Sequence, residues 1–238
     1  ITYARAGAYV LVADQSLDAA AETVAEIEAE GGMAVACRAD VTREAEIIEM
    51  LETATGRWGR LDILHNNVGI SVAGGDAEIS QIEGEAFDRI MAINLKSMVL
   101  AIKHALPVMR AQQSGKIINI SSTAAHEDYP WVTYKASKAA AKSMTEQVAL
   151  QNAPHGIRVN CIQPGLMNTP MAVDARMDAW NMTREEVVAM RDAKVPLGNR
   201  MGTAWDVANA ALFMVSEEAR FITGVTLMVD GGAHCRIG

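Results

Sequence analysis

Residues 8–14 read AYVLVAD, residues 17–30 LDAAAETVAEIEAE and residues 33–40 MAVACRAD. The first stretch is an unbroken apolar run closed by an acid, the pattern of a strand buried on both faces. The second has helical composition and stops at Gly31 and Gly32, where a left-handed cap ends a helix. The third is another apolar strand. Strand, helix and strand in this order predict parallel pairing, and the rest of the chain repeats the unit. A helix over 43–59 (REAEIIEMLETATGRWG) leads to a strand at 61–67 (LDILHNN). A long helical region from about Gly84 to Gln113 precedes the strand at 116–122 (KIINISS). A helix from about Thr133 to Asn152 then leads to IRVNCIQPG at 157–165. After a mixed segment to about Arg200 come the helix TAWDVANAALFMVS at 203–216 and the strand VTLMVD at 225–230. Six strands are visible, and the expectation is one doubly wound α/β domain over residues 1–238, with a parallel sheet covered on both sides.

Composition narrows the function. With 21 basic and 29 acidic residues the net charge is −8, which argues against nucleic acid and anionic membrane as partners. No apolar run approaches the length that crosses a bilayer, and no secretory pattern is present. Cys37, Cys161 and Cys235 form no CxxC pair, and the five histidines form no HExxH pair, so neither a disulfide framework nor a metal site is expected. Three reduced thiols suit a cytoplasmic protein.

In a parallel sheet, ligands sit beyond the carboxyl ends of the strands. Five predicted strands end there in polar or glycine-containing turns: VLVAD, CRADVT, LHNNVG, INISS and CIQPG. Near one of them, residues 121–140 read SSTAAHEDYPWVTYKASKAA. Tyr134 and Lys138 are four apart and share a helix face. A free phenol ionises near about pH 10, but an adjacent ammonium stabilises the phenolate and makes the tyrosine a usable base. A YxxxK pair alone also occurs by chance.

Together, ADVT (39–42), NNVG (66–69), NISS (119–122), YKASK (134–138), PGLMNTP (164–170) and ITGVTLMVDGG (222–232) resemble the short-chain dehydrogenase/reductase family, over essentially the whole chain. The resemblance implies a Rossmann-type fold and hydride transfer between a nicotinamide cofactor and an alcohol or carbonyl. It makes Tyr134 the general acid/base, and gives Lys138 the tasks of lowering its pKa and binding the nicotinamide ribose. Ser122 would polarise the substrate carbonyl, and Asn94, in MAINLKS, would hold a water of the proton relay. The family's serine often lies 13 residues before the tyrosine, which would select Ser121. Aligning NISS selects Ser122, the choice made here because loops absorb a deletion more easily than strands.

For the cofactor, the resemblance puts Asp14 where a carboxylate binds an adenosine ribose diol and repels a 2′-phosphate, favouring NAD over NADP. Asp40 and Val41 resemble adenine contacts, and Asn67 and Gly69 the turn beside the adenosine ribose. Pro164, Gly165 and Thr169 match the nicotinamide end. His126, Trp131 and Met167 are the candidate substrate contacts. Residues 167–200 form the candidate lid, whose five methionines suggest either an adaptable apolar cover or ordinary helix packing. Two other functions compete with NAD-linked oxidoreduction of a secondary alcohol or ketone: NADP-dependent 3-oxoacyl carrier reduction and a non-catalytic scaffold. The family also implies a homotetramer, for which Ser137, Ala141, Met144 and Val148 offer a stripe facing either a partner or their own sheet.

Family members begin with a central strand, a TGxxxGxG turn and a helix whose tail resembles ITYARAGA (1–8). The resemblance therefore implies a longer protein, of which this chain lacks that strand, the turn and half the helix. A chain without the turn is expected to hold the cofactor's pyrophosphate weakly, because the turn supplies backbone N–H donors.

Overall fold

A computed structural model describes residues 1–236. The strands are β1 (Tyr9–Asp14), β2 (Met33–Arg38), β3 (Ile63–Asn66), β4 (Gly115–Ile120), β5 (Ile157–Pro164) and β6 (Thr226–Val229). The helices are α1 (Thr2–Arg5), α2 (Leu17–Ala29), α3 (Glu44–Trp58), α4 (Gly84–Met91), α5 (Ser97–Gln112), α6 (Val132–Asn152), α7 (Pro170–Trp180), α8 (Arg184–Asp192) and α9 (Ala204–Val215). Every ladder is parallel. The strands fall into two sheets, β1–β2 and β3–β4–β5–β6, and β1 shares no ladder with β3. The division falls where the family resemblance expects its first strand.

Side-chain alternation along β4 divides the core. Ile117 joins Ile47, Leu51, Leu100, Met109 and Val159 under α3, α5 and α6. Its neighbour Ile118 points the other way, to Ile162, Met214 and Val215 under α9. Successive positions of β4 and β5 are thus buried on opposite faces, which is why both strands are apolar almost throughout. Truncating Ile117 or Ile162 to alanine would cost ~2–5 kcal/mol, since neither site is open to solvent. The glycine stop after α2 is as expected: Gly31 has φ +81°, and the N–H of Gly32 closes back on the Ile27 carbonyl.

Two expectations change. The region from Gly84 to Gln113 is two helices joined by a π-type turn over Ala92–Lys96, with Asn94 at its centre. Such turns frequently mark functional positions. The stripe on α6 faces its own sheet: Ser137 and Ala141 are buried, and Met144 and Val148 pack on the core under β4 and β5. It is therefore not a free surface for a partner.

His65 on β3 receives α1. Its Nδ1 lies 2.9 Å from the Tyr3 hydroxyl, and burial lowers its pKa from 6.5 to about 4. Between those values the unfolded chain binds the extra proton, so stability is complete above pH 6.5 and is lost as the pH falls toward 4. Urea unfolding across this window should show a loss on the order of 2–3 kcal/mol. His65→Gln should flatten that slope; an unchanged slope would contradict the assignment.

Candidate active site

The site forms around the N-terminal half of α6, which is fixed by polar contacts from three directions. Asp76, buried in the loop after β3, accepts the N–H of Thr133 through Oδ1 at 3.0 Å and that of Tyr134 through Oδ2 at 2.9 Å. A carboxylate there satisfies two free amides and faces the positive end of the helix dipole. One turn on, the Ser137 hydroxyl donates to the Tyr134 carbonyl (2.8 Å) and accepts from Asn94 Nδ2 (3.1 Å). Lys138 Nζ donates to the Ile120 carbonyl at 2.9 Å, while the Ser121 hydroxyl donates to the Lys138 carbonyl at 2.6 Å. The end of β4 and the first turns of α6 are thereby tied together.

These contacts separate the two serines. Ser121 is turned inward and also accepts from Gln163 Nε2 at 3.3 Å. Ser122 faces the Tyr134 phenol, on which its hydroxyl acts to lower the pKa. Burial is the larger influence and pushes Tyr134 up to about 12. Lys138 is not among the groups that act on this phenol. The ammonium stands 5.6 Å from the ring centroid, is committed to Ile120, and is itself lowered by burial to about 8.

Asn94 is fully buried, with Oδ1 accepting from the Ile70 N–H and Nδ2 donating to the Ile70 carbonyl, both at 2.8 Å. It locks the turn after β3, and its side chain is therefore engaged by protein groups. Gly69 lies in that turn: a Cβ added there would meet Lys138 Nζ at 3.1 Å and Asn94 Oδ1 at 3.4 Å. A side chain would press into this cradle, so its glycine has a steric cause.

The cofactor candidates line the same sheet edge. Asp14, exposed at the end of β1, uses Oδ1 for the Ser16 N–H at 2.8 Å and has no described partner on Oδ2. Asp40 holds the N–H and hydroxyl of Thr42 at 2.9 and 2.7 Å, which lower its pKa; Val41 is half-buried beside it. Asn67 is exposed after β3. Pro164 ends β5, and Gly165 packs so closely on Asp230 that a Cβ would lie 2.5 Å from the aspartate's Cβ. Thr169 starts the turn into α7, its carbonyl accepting from Ala172 and Val173. An exposed carboxylate at β1, a glycine cradle against Lys138 and a tight glycine turn after β5 fit an extended dinucleotide.

The substrate candidates divide. Trp131 meets Tyr129 edge-on at 5.4 Å, and Tyr129 in turn leans on Tyr134 at 5.4 Å. His126 is exposed at the end of the short turn after Ser122. Met167 packs on its own chain. It is buried, bridges to Gly202 and has its sulfur against that glycine, which has no side chain to exclude it. Within the lid, Met177 and Met182 pack around Val173, Val187 and Val195, so ordinary helix packing accounts for them. Sequence reasoning missed Asp76, Tyr129, Arg176 and Arg191. Only the Trp180 to Arg176 spacing of four residues hinted at one of them.

A family model described as enoyl-(acyl carrier protein) reductase matches residues 1–234. The 2,5-dichloro-2,5-cyclohexadiene-1,4-diol dehydrogenase LinX of Sphingobium indicum is 38% identical over 233 residues, covering 97% of this chain and 88% of that protein. The chain belongs to the short-chain dehydrogenase/reductase family. A sorbitol dehydrogenase of Cereibacter sphaeroides is 39% identical, covering 97% of this chain and 89% of its own. Among solved structures, a 7α-hydroxysteroid dehydrogenase complexed with NADH and 7-oxo glycochenodeoxycholic acid superposes with a TM-score of 0.85 at 35% identity, over 98% of this chain and 87% of its own. As a member, the protein is a nicotinamide-dependent oxidoreductase acting on CH–OH groups. Among the described residues no helix is long and apolar enough to cross a membrane.

The free protein offers a direct test of the Tyr134 environment. Tyrosinate absorbance of the protein and of Tyr134→Phe should coincide below about pH 10, because burial delays this ionisation to about 12. A Tyr134-dependent ionisation near neutrality would contradict the burial argument.

Proposed function

We propose that the protein transfers hydride between NAD and a secondary alcohol or ketone, with Tyr134 as the proton carrier. The observation that carries this is the Tyr134 phenol beside the Ser122 hydroxyl, on a helix anchored through Lys138 and Asp76. A bound nicotinamide would supply the hydride acceptor for oxidation of the carbinol carbon and the hydride donor for reduction of the carbonyl carbon. In the reducing direction Tyr134, protonated at neutral pH, donates its proton to the developing alkoxide. Ser122 donates a hydrogen bond to the same oxygen and stabilises charge as it develops. In oxidation Tyr134 takes the hydroxyl proton instead. Lys138 holds the nicotinamide ribose, and its positive charge favours the phenolate form. Asn94, whose side chain is fixed by Ile70 and Ser137, would hold the water of the proton relay.

Asp14 would accept from the adenosine ribose diol, with Asp40 and Val41 at adenine, Asn67 and Gly69 beside the ribose, and Pro164, Gly165 and Thr169 at the nicotinamide. A 2′-phosphate would meet the Asp14 charge, with Gln15 following rather than a basic residue. That weighs against NADP-linked reduction of an acyl carrier substrate. Residues 167–200 serve as the lid, and the whole chain as a single domain. A cytoplasmic setting suits the three unpaired cysteines. A homotetramer is supported by apolar exposure on two surfaces, Phe87 and Val99 on α4 and α5, and Trp205, Phe213, Phe221 and Val225 around α9 and β6.

Steady-state kinetics on a panel of secondary alcohols should give a kcat/KM for NAD at least ~10²-fold above that for NADP, equivalent to about 2.7 kcal/mol. Asp14→Ala should narrow the gap; a native preference for NADP would overturn the cofactor assignment. Tyr134→Phe should reduce turnover by ~10²–10⁴ while NAD still binds, the range expected for losing a general acid/base. Ser122→Ala should cost more than Ser121→Ala in kcat, and the opposite order would move the role to Ser121. Light scattering should report a tetramer of the 25.5 kDa chain at micromolar concentration, and a monomer would refute it.

A further inference from the structure

The lid carries two arginines that the proton chemistry does not use. Arg191 on α8 is only 7% exposed. Among the described residues its guanidinium makes one hydrogen bond, from Nε to the Met201 sulfur at 3.3 Å, and no carboxylate pairs with it. A thioether is a weak acceptor, so a buried cation is left with little to offset its lost hydration. Burial lowers its pKa to about 10, and the charges that reach it are Arg176, Tyr129 and Glu127.

Arg176 is on α7. Its guanidinium lies 5.7 Å from the ring centroids of both Trp131 and Trp180, and its charge acts on the hydroxyls of Tyr129 and Tyr134. Its Nη1 donates to the Ala172 carbonyl at 2.9 Å and the Met171 carbonyl at 3.4 Å, and its guanidinium also reaches the Tyr129 hydroxyl. Among the described residues it forms no ion pair, whereas Arg184 nearby is paired with Asp174 at 3.1 Å. Asp76 holds the amides of Thr133 and Tyr134, and Asp192 holds the Met201 N–H at 2.8 Å. Among the described residues neither guanidinium is paired with a carboxylate.

We propose that Arg176 and Arg191 form a carboxylate-binding subsite beside Tyr134, and that the substrate is a secondary alcohol or ketone carrying one carboxylate on an apolar body. The inference rests on the dehydrogenase reading for the identity of the reacting group. A carboxylate would supply the acceptors that both guanidiniums lack, and guanidinium N–H groups suit its two oxygens. The aromatic walls of Tyr129, Trp131 and Trp180 suit the apolar part. A neutral analogue would leave the guanidiniums unpaired, so the site would select against it.

The probe is benzoate against its neutral isostere benzamide, titrated into the full chain while tryptophan emission is followed, since Trp131 and Trp180 flank Arg176. Benzoate should bind at least about tenfold more tightly than benzamide, and Arg176→Met and Arg191→Met should each remove that advantage. If Arg191→Met fails to fold by circular dichroism, Arg176→Met alone decides. Equal binding of benzoate and benzamide, no benzoate binding, or an unchanged advantage in the folded variants would overturn the subsite. Arg176-dependent binding of phenyl phosphate in preference to benzoate would overturn the carboxylate assignment. Turnover of neutral alcohols without benzoate inhibition would sink this inference alone. Arg176-dependent benzoate binding without any NAD-linked turnover would sink the dehydrogenase reading and leave the subsite standing.

Discussion

The buried Lys138 ammonium and the Ile120 carbonyl it holds are the contact on which the site depends. A cation removed from water must be given strong acceptors, and here the end of β4 provides one. The return bond from Ser121 to the Lys138 carbonyl makes the tie reciprocal, so α6 can neither slide nor rotate against the strand. Because Tyr134 sits one turn earlier on α6, its phenol is placed by the same tie. Ser122 follows Ser121 in the chain, and opposite pointing of neighbouring residues brings its hydroxyl to the phenol. Strand end, helix and reacting group thus form one mechanical unit.

The rest of the sheet edge is arranged around that unit. Gly69 must remain small because Lys138 and Asn94 fill the space beside it. Asn94 spends both ends of its amide on Ile70, which holds the turn after β3 against α6. The break between α4 and α5 lets the helix path place that amide there. Burial has an electrostatic consequence as well: it raises the phenol to about 12 and lowers the ammonium to about 8, which leaves both protonated at neutral pH. A phenol kept protonated is suited to donating its proton to a reduced carbonyl.

Much of this was legible in the residues. The alternation of apolar runs with helical stretches gave the six strands and their parallel order, because strands buried on both faces leave little room for polar residues. The pairing of Tyr134 with Lys138 is readable from helical spacing, whereas Ser122 rests on the family resemblance of the strand end NISS. Contacts between distant segments were not readable in this way. Asp76 reaches α6 from a loop whose path no periodicity reports, and Arg191 looks in sequence like one more polar residue of a lid helix. Met167 packs against Gly202, a contact across 35 residues that its position near the site motif does not encode. The stripe on α6 was ambiguous because small buried residues look alike whether they meet a sheet or a second subunit.

The central claim is that anchoring of α6 sets the position of the reacting phenol, and the Asp76 carboxylate is the anchor that can be removed without touching substrate or cofactor groups. The direct measurement is kcat and the NAD dissociation constant for Asp76→Ala, compared at a temperature where circular dichroism shows the variant folded. A displaced Tyr134 should lower kcat by ~10²-fold, the loss expected from about 1 Å of misplacement, while NAD affinity changes by less than about threefold. An unchanged kcat would contradict the account.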